Sequence, residues 1–152
     1  MTKLKSEVQI TLENDIIYHH SGNEVKTKSI ILKAPSSKQK KQSNELAQWL
    51  VQAIKQATKD EATKEATLEH QNDSSDMSDN PMAIIYLIMA SDVKFEIIEN
   101  CCLKLLSSGG ALLDGKESLT EFNYDQLSLG DSYKLIGGYL VNFLIPYLIP
   151  QK

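Results

Sequence analysis

Five side chains in this 152-residue sequence are best suited to proton transfer, nucleophilic attack or soft-metal binding: His19, His20, His70, Cys101 and Cys102. A catalytic nucleophile needs a base within hydrogen-bond reach. His19 and His20 are neighbours, and in a strand they point to opposite faces. His70 stands at the edge of an acidic stretch. No Ser/His/Asp or Cys/His arrangement follows from these positions, so no catalytic residue is assigned and the chain is read as a non-enzyme. Zinc asks for about four suitably spaced ligands. Two adjacent cysteines on a helix project about 100° apart, and such a pair also makes a poor disulfide. Cys101 and Cys102 are therefore expected as buried apolar side chains, in keeping with a reducing compartment. Asp73, Asp76 and Asp79 recur every three residues but lack the glycine and terminal glutamate of a calcium loop. They read as a solvated charge run. Gly109-Gly110 and Gly137-Gly138 lack the glycine–lysine pattern of a phosphate loop. No metal and no cofactor is expected.

Composition narrows the function classes further. The net charge is −4, and all sixteen basic residues are lysine. Arginine is the usual bidentate reader of phosphates and guanines, so its absence argues against sequence-specific nucleic-acid binding. The first residues lead into no apolar stretch, and the longest apolar run, Met82 to Ala90, is half a membrane span. A cytoplasmic protein without a membrane segment is expected. Charge divides the chain in three. Residues 1–58 carry nine lysines against five acids, residues 59–80 two against seven, and residues 81–152 five against eight. The middle part, with its near-duplicated pentads at 57–66, cannot bury apolar surface and reads as an acidic flexible linker or insert. The outer parts are expected to pack together as one domain.

The elements that must position any site follow from periodicity. Val8 to Leu12 alternates apolar and polar residues, the pattern of a half-buried strand. Asn14-Asp15 is expected to break it before a second short run, Ile16 to Tyr18. Ser21-Gly22-Asn23 supplies a turn, and Val25 to Leu32 a further strand, giving an antiparallel hairpin or meander. Ser36 and Gln39 have capping-box spacing. The helix they open carries Leu46, Leu50, Ile54 and Ala57 on one stripe, widened by Trp49 and Ala53. Lys38, Lys40 and Lys41 stand in its first turn, where the helix dipole disfavours cations, and are expected to be solvated. Asn80-Pro81 starts a helix through Ala90 that is apolar almost all round and should be covered on both sides, a strand being the alternative for so short an apolar run. Asp92 caps the next, in which Phe95, Ile98, Cys102 and Leu105 share a face, and Gly109-Gly110 ends it. A loop with Gly115 runs to Asn123. Asn123 with Gln126 caps a short turn, and Ser128 or Asp131 opens a last helix that Pro146 bends or ends. The fold class is α+β, mostly α: an N-terminal antiparallel hairpin or meander, then about four helices.

Two features of the last helix bear on function. Glycine inside a helix costs ~1 kcal/mol relative to alanine. At Gly137-Gly138, then, either a neighbouring helix backbone packs closely or the helix breaks to admit a partner. From Tyr139 to Ile149 almost no polar face remains. Either one small domain covers one side and leaves apolar surface for an interface, or the helix docks wholly into the core. Tyr139, Phe143, Leu144 and Tyr147 are the candidate partner-binding residues.

The order of parts resembles a known family. A strand ending Ile10-Thr11-Leu12, a turn carrying Gly22, and Ile30-Ile31-Leu32-Lys33 running into Ala34-Pro35-Ser36-Ser37 precede a helix. The chain closes with Phe122-Asn123-Tyr124-Asp125-Gln126-Leu127-Ser128-Leu129-Gly130-Asp131 and a helix ending Val141-Asn142-Phe143-Leu144. This is similar to the tail assembly chaperones of long-tailed bacteriophages, although lysine and alanine stand where arginine and an acid are common and the acidic insert is long. The resemblance implies a non-catalytic chaperone in the host cytoplasm. Its client would be the helical tape-measure protein, held soluble until tail-tube protein replaces it. Self-association is a further expectation. The alternative is a small adaptor that binds a host or viral protein through its β edge or acidic segment.

Overall fold

The computed structural model describes residues 6–57 and 81–148. The chain is α+β and mostly α. Strands β1 (Glu7–His20) and β2 (Asn23–Lys33) form a long antiparallel hairpin. Its two-residue turn holds both Ser21 and Gly22 at positive φ, 54° and 80°. That turn geometry matches the right-handed twist of the flanking strands. Asn14-Asp15 does not end the first strand as expected. β1 runs on to His20, and its register shifts between Thr11 and Ile16 instead. The expected loop around Gly115 is a second hairpin, β3 (Ala111–Leu113) and β4 (Glu117–Ser118), which extends the sheet in the order β1-β2-β3-β4. Strand β3 joins the far edge of β2 with Ile30 opposite Leu113 and Leu32 opposite Ala111.

The capping box at Ser36 forms: Ser36 N–H donates to Gln39 Oε1 at 3.0 Å, and Gln39 N–H to the Ser36 carbonyl at 2.9 Å. A short 3-10 turn at Ser37–Gln39 leads into α1 (Lys40–Ala57). Leu46, Leu50 and Ala53 are fully buried, with Trp49 and Ile54 packed against them. The same Gln39 amide donates to the Leu105 and Ser108 carbonyls, which ties the start of α1 to the end of α3. Helix α2 (Pro81–Ala90) buries Ile84, Ile85, Leu87 and Ile88, but Tyr86 is 62% and Met89 47% exposed. The covering expected on both sides is thus incomplete, because α1 and the last helical stretch pack against only part of its circumference.

Helix α3 (Phe95–Leu105) is not capped by Asp92; Lys94 stands at the cap, and Asp92 N–H instead donates to Gln56 Oε1 at 2.8 Å. Ile98, Cys101, Cys102 and Leu105 are buried, both thiols free. Gly109, at φ 108°, turns the chain out of this helix into β3. Thr120 rather than Asn123 caps the short α4 (Glu121–Asp125), with Asn123 at the third position completing a capping box. Ser128 caps α5 (Leu129–Tyr139), accepting from Asp131 N–H.

Pro146 does not break the last helix. A π turn at Leu140–Leu144 precedes α6 (Ile145–Leu148), and Ile145 N–H reaches back to the Leu140 carbonyl. Proline crowds the carbonyl four residues earlier, and a widened turn before it makes room. The close neighbour at Gly138 is the sheet, not a helix backbone: a Cβ there would stand 3.0 Å from Ile10 Cδ1.

Residues from both sides of the acidic insert contribute to a single buried cluster, with Leu12, Ile16, Ile30 and Leu32 of the sheet joined by Leu135, Ile136 and Leu140. The insert itself, with His70, the three spaced aspartates and the duplicated pentads, lies outside the described residues.

Candidate functional site

Among the described residues, the last helical stretch is docked into the core from Tyr139 to Ile145. Tyr139, Leu140, Val141, Phe143, Leu144 and Ile145 are each at most 4% exposed. The sheet packs on one flank and α2 on another, so the helix is enclosed rather than half-covered. Tyr139 and Phe143 are brought together edge to face, with ring centroids 5.3 Å apart. The side chain of Tyr147 lies outside the described residues.

Phe143 and Leu144 nevertheless meet a cleft of ≈ 440 Å³ between the β2–α1 junction and the π turn at Leu140–Leu144. Its apolar lining is Pro35, Ala47, Phe143 and Leu144. The α1 wall adds Lys40, Ser43 and Asn44, and the junction adds Ser36 and Ser37. Proline ends β2 by denying it a further ladder donor, and Ser36 then starts the helix, so the cleft lies where strand gives way to helix. Lys38, Lys40 and Lys41 are all exposed, and no acid stands in the first turn of α1. From sequence the lysines are expected to be solvated, with an anionic partner as the lesser alternative. The signal it passed over is the run Ser43, Asn44, Ala47, small residues that leave space beside the buried Leu46–Leu50 face.

Polar residues assemble elsewhere in two groups. The first fastens the outer edge of β1. Glu13 and Asn14 N–H, displaced where the register shifts, donate to the Asp131 carboxylate at 2.9 and 3.3 Å. Ile17 N–H donates to Gln126 Oε1, and the Ile17 carbonyl accepts from Gln126 Nε2 and Asn123 Nδ2. Lys134 Nζ donates to the Thr11 carbonyl. Asn123, Gln126 and Asp131 belong to the segment that carries the resemblance, and their sequence spacing gives no sign of a strand as their common target.

The second group joins the two hairpins. Tyr18 and Thr27 hydroxyls both donate to Asp114, the former at 2.7 Å, and His20 Nδ1 lies 2.7 Å from Glu117 Oε1. The hydrogen bond to Asp114 and burial push the Tyr18 hydroxyl up to about 12. His19, on the opposite face, is exposed. Burial pushes both cysteine thiols up, Cys102 furthest, and both stay in the unreactive thiol form. Among the described residues no group of three or more His, Cys, Asp or Glu is placed to hold a metal ion, and no helix is long and apolar enough to cross a membrane.

Comparison with protein-family models, curated proteins and solved structures found no match.

Proposed function

We propose that the chain is a non-catalytic tail assembly chaperone of a long-tailed bacteriophage, holding the helical tape-measure protein soluble in the host cytoplasm until tail-tube protein replaces it. The observation that carries this reading is the cleft beside α1: apolar below, small and neutral along its wall, with Lys40 at one end. A groove of that chemistry suits an amphipathic helix, which lays its apolar stripe on the floor and turns its polar side to water. The cleft also sits at the junction Ala34-Pro35-Ser36-Ser37, one of the segments that resemble the chaperone family. An adaptor that paired through β1 would find that edge already bonded at Thr11, Glu13, Asn14 and Ile17.

Co-expression with the tape-measure protein, scored by the soluble fraction of that client, tests the proposal. Solubility should rise with the wild type and fall back with Ala47→Glu, a change on the half-exposed α1 wall that keeps a good helix former. A client equally soluble with and without the chain would rule the function out.

A further inference from the structure

The corner between α4 and α5 is unlike the rest of the described surface. Phe122 is 65% and Leu129 67% exposed, the two highest values among the large apolar side chains described. The corner is not a loose loop. Asn123, Gln126 and Asp131 fix it to β1 through the bonds given above, so its apolar side chains are held out on a rigid base. Glu121 and Asp125 flank Phe122 on the same helix and are exposed. Gly130 follows Leu129, yet its φ is ordinary and a Cβ built there meets nothing within 4 Å. The fold therefore has no need of a glycine at this position, and its absent side chain leaves room for another backbone to come close.

This corner is the counterpart of the cleft. One is convex, apolar and acid-flanked; the other is concave and apolar-floored, with Lys40 in its wall. A carboxylate arriving at the first turn of α1 would meet both Lys40 and the positive end of the helix dipole. We infer that copies of this chain associate head to tail, with Phe122 and Leu129 of one seated in the cleft of the next and Glu121 and Asp125 meeting Lys40. Such an interface uses two different patches, so it propagates unless its rotation closes a ring. The inference goes beyond the chaperone reading and stands without it, since it requires no client. Where both hold, client and neighbouring copy compete for one cleft.

Sedimentation of the full-length chain across the micromolar range tests it with two variants. Phe122→Ser/Leu129→Ser removes the projecting side chains and Lys40→Glu/Ala47→Glu reverses the cleft. Circular dichroism and the thermal midpoint establish that each is folded. The wild type should grow beyond a dimer with concentration and shrink as salt rises, because exposed charge pairs are screened. Each variant alone should be monomeric. Their equimolar mixture should stop at a 1:1 heterodimer, which has one intact corner and one intact cleft. Gly130→Gln should weaken association at least tenfold with no loss in thermal midpoint. A wild type that stays monomeric overturns the inference. So does a dimer insensitive to the cleft variant, a mixture that stays monomeric, or a Gly130→Gln protein that assembles like the wild type.

Discussion

Glu13 and Asn14 turn their amides out of the ladder where β1 slips register, and the 1%-exposed Asp131 accepts from both. The two amides are part-buried, and hydrogen bonds to a charged group exceed neutral ones. Asp131→Asn keeps the shape but offers one oxygen and a competing donor. It should lower stability by about 2 kcal/mol in urea denaturation; a loss within error would mean that water serves these amides equally well. Tyr18 makes a different claim. Its folded-state value, raised to about 12 from 10, means that the native state holds the proton more tightly than the unfolded chain. The stabilisation is fully present below pH 10 and is lost as the pH climbs towards 12. Wild-type denaturation midpoints should decline through that window, and Tyr18→Phe should decline less steeply. Parallel curves for the two proteins would show that Tyr18 takes no part.

At the scale of elements, two glycines divide according to what stands against them. A Cβ on Gly110 would lie 2.6 Å from the Leu105 carbonyl oxygen, a backbone atom that cannot step aside. On Gly138 it would lie 3.0 Å from Ile10 Cδ1, the free end of a half-buried side chain that can rotate. Gly110→Ala should cost upward of ~2 kcal/mol, in the range of overpacked cores. Gly138→Ala should fall within ~1 kcal/mol of wild type, because helix propensity offsets the crowding. Comparable midpoint losses in thermal melts would defeat the distinction. The same contrast explains what could be read ahead of the structure. The β1–β2 hairpin, the Ser36–Gln39 start of α1 and the stripe Leu46–Leu50 are written in local periodicity and capping chemistry, and each was legible. Strands β3 and β4 were not: three apolar residues and two polar ones carry no period, and they become strands only because β2 offers a free edge. Asp92 has the chemistry of a cap but lies two residues early, its amide taken by Gln56. The cleft was half legible. Phe143 and Leu144 were named and do line it, while Ser43, Asn44 and Ala47 signal only what they leave empty.

For the whole molecule, the cysteines report on opening. Cys101 and Cys102 lie at 6% and 0% exposure between α1 and the last helical stretch, in the cluster that joins both ends of the chain. Neither should react with a thiol reagent until the molecule unfolds, so labelling rates should follow urea concentration as global stability does. Fast labelling in native buffer would mean that α3 detaches on its own. That cluster also imposes an order in time. Ile31 of β2 lies opposite Leu112, about 80 residues further along, and the Asp131 carboxylate serves amides more than 110 residues before it. At roughly 5–20 residues per second, a ribosome takes about 4–16 s to deliver β3 after β2 has emerged. Through that interval the nascent hairpin has one edge awaiting β3 and the other awaiting Asn123, Gln126 and Asp131. The hairpin is therefore completed only once residues 111–131 have been made, and the newborn hairpin is the stage at which a cell's own holding factors have most to do.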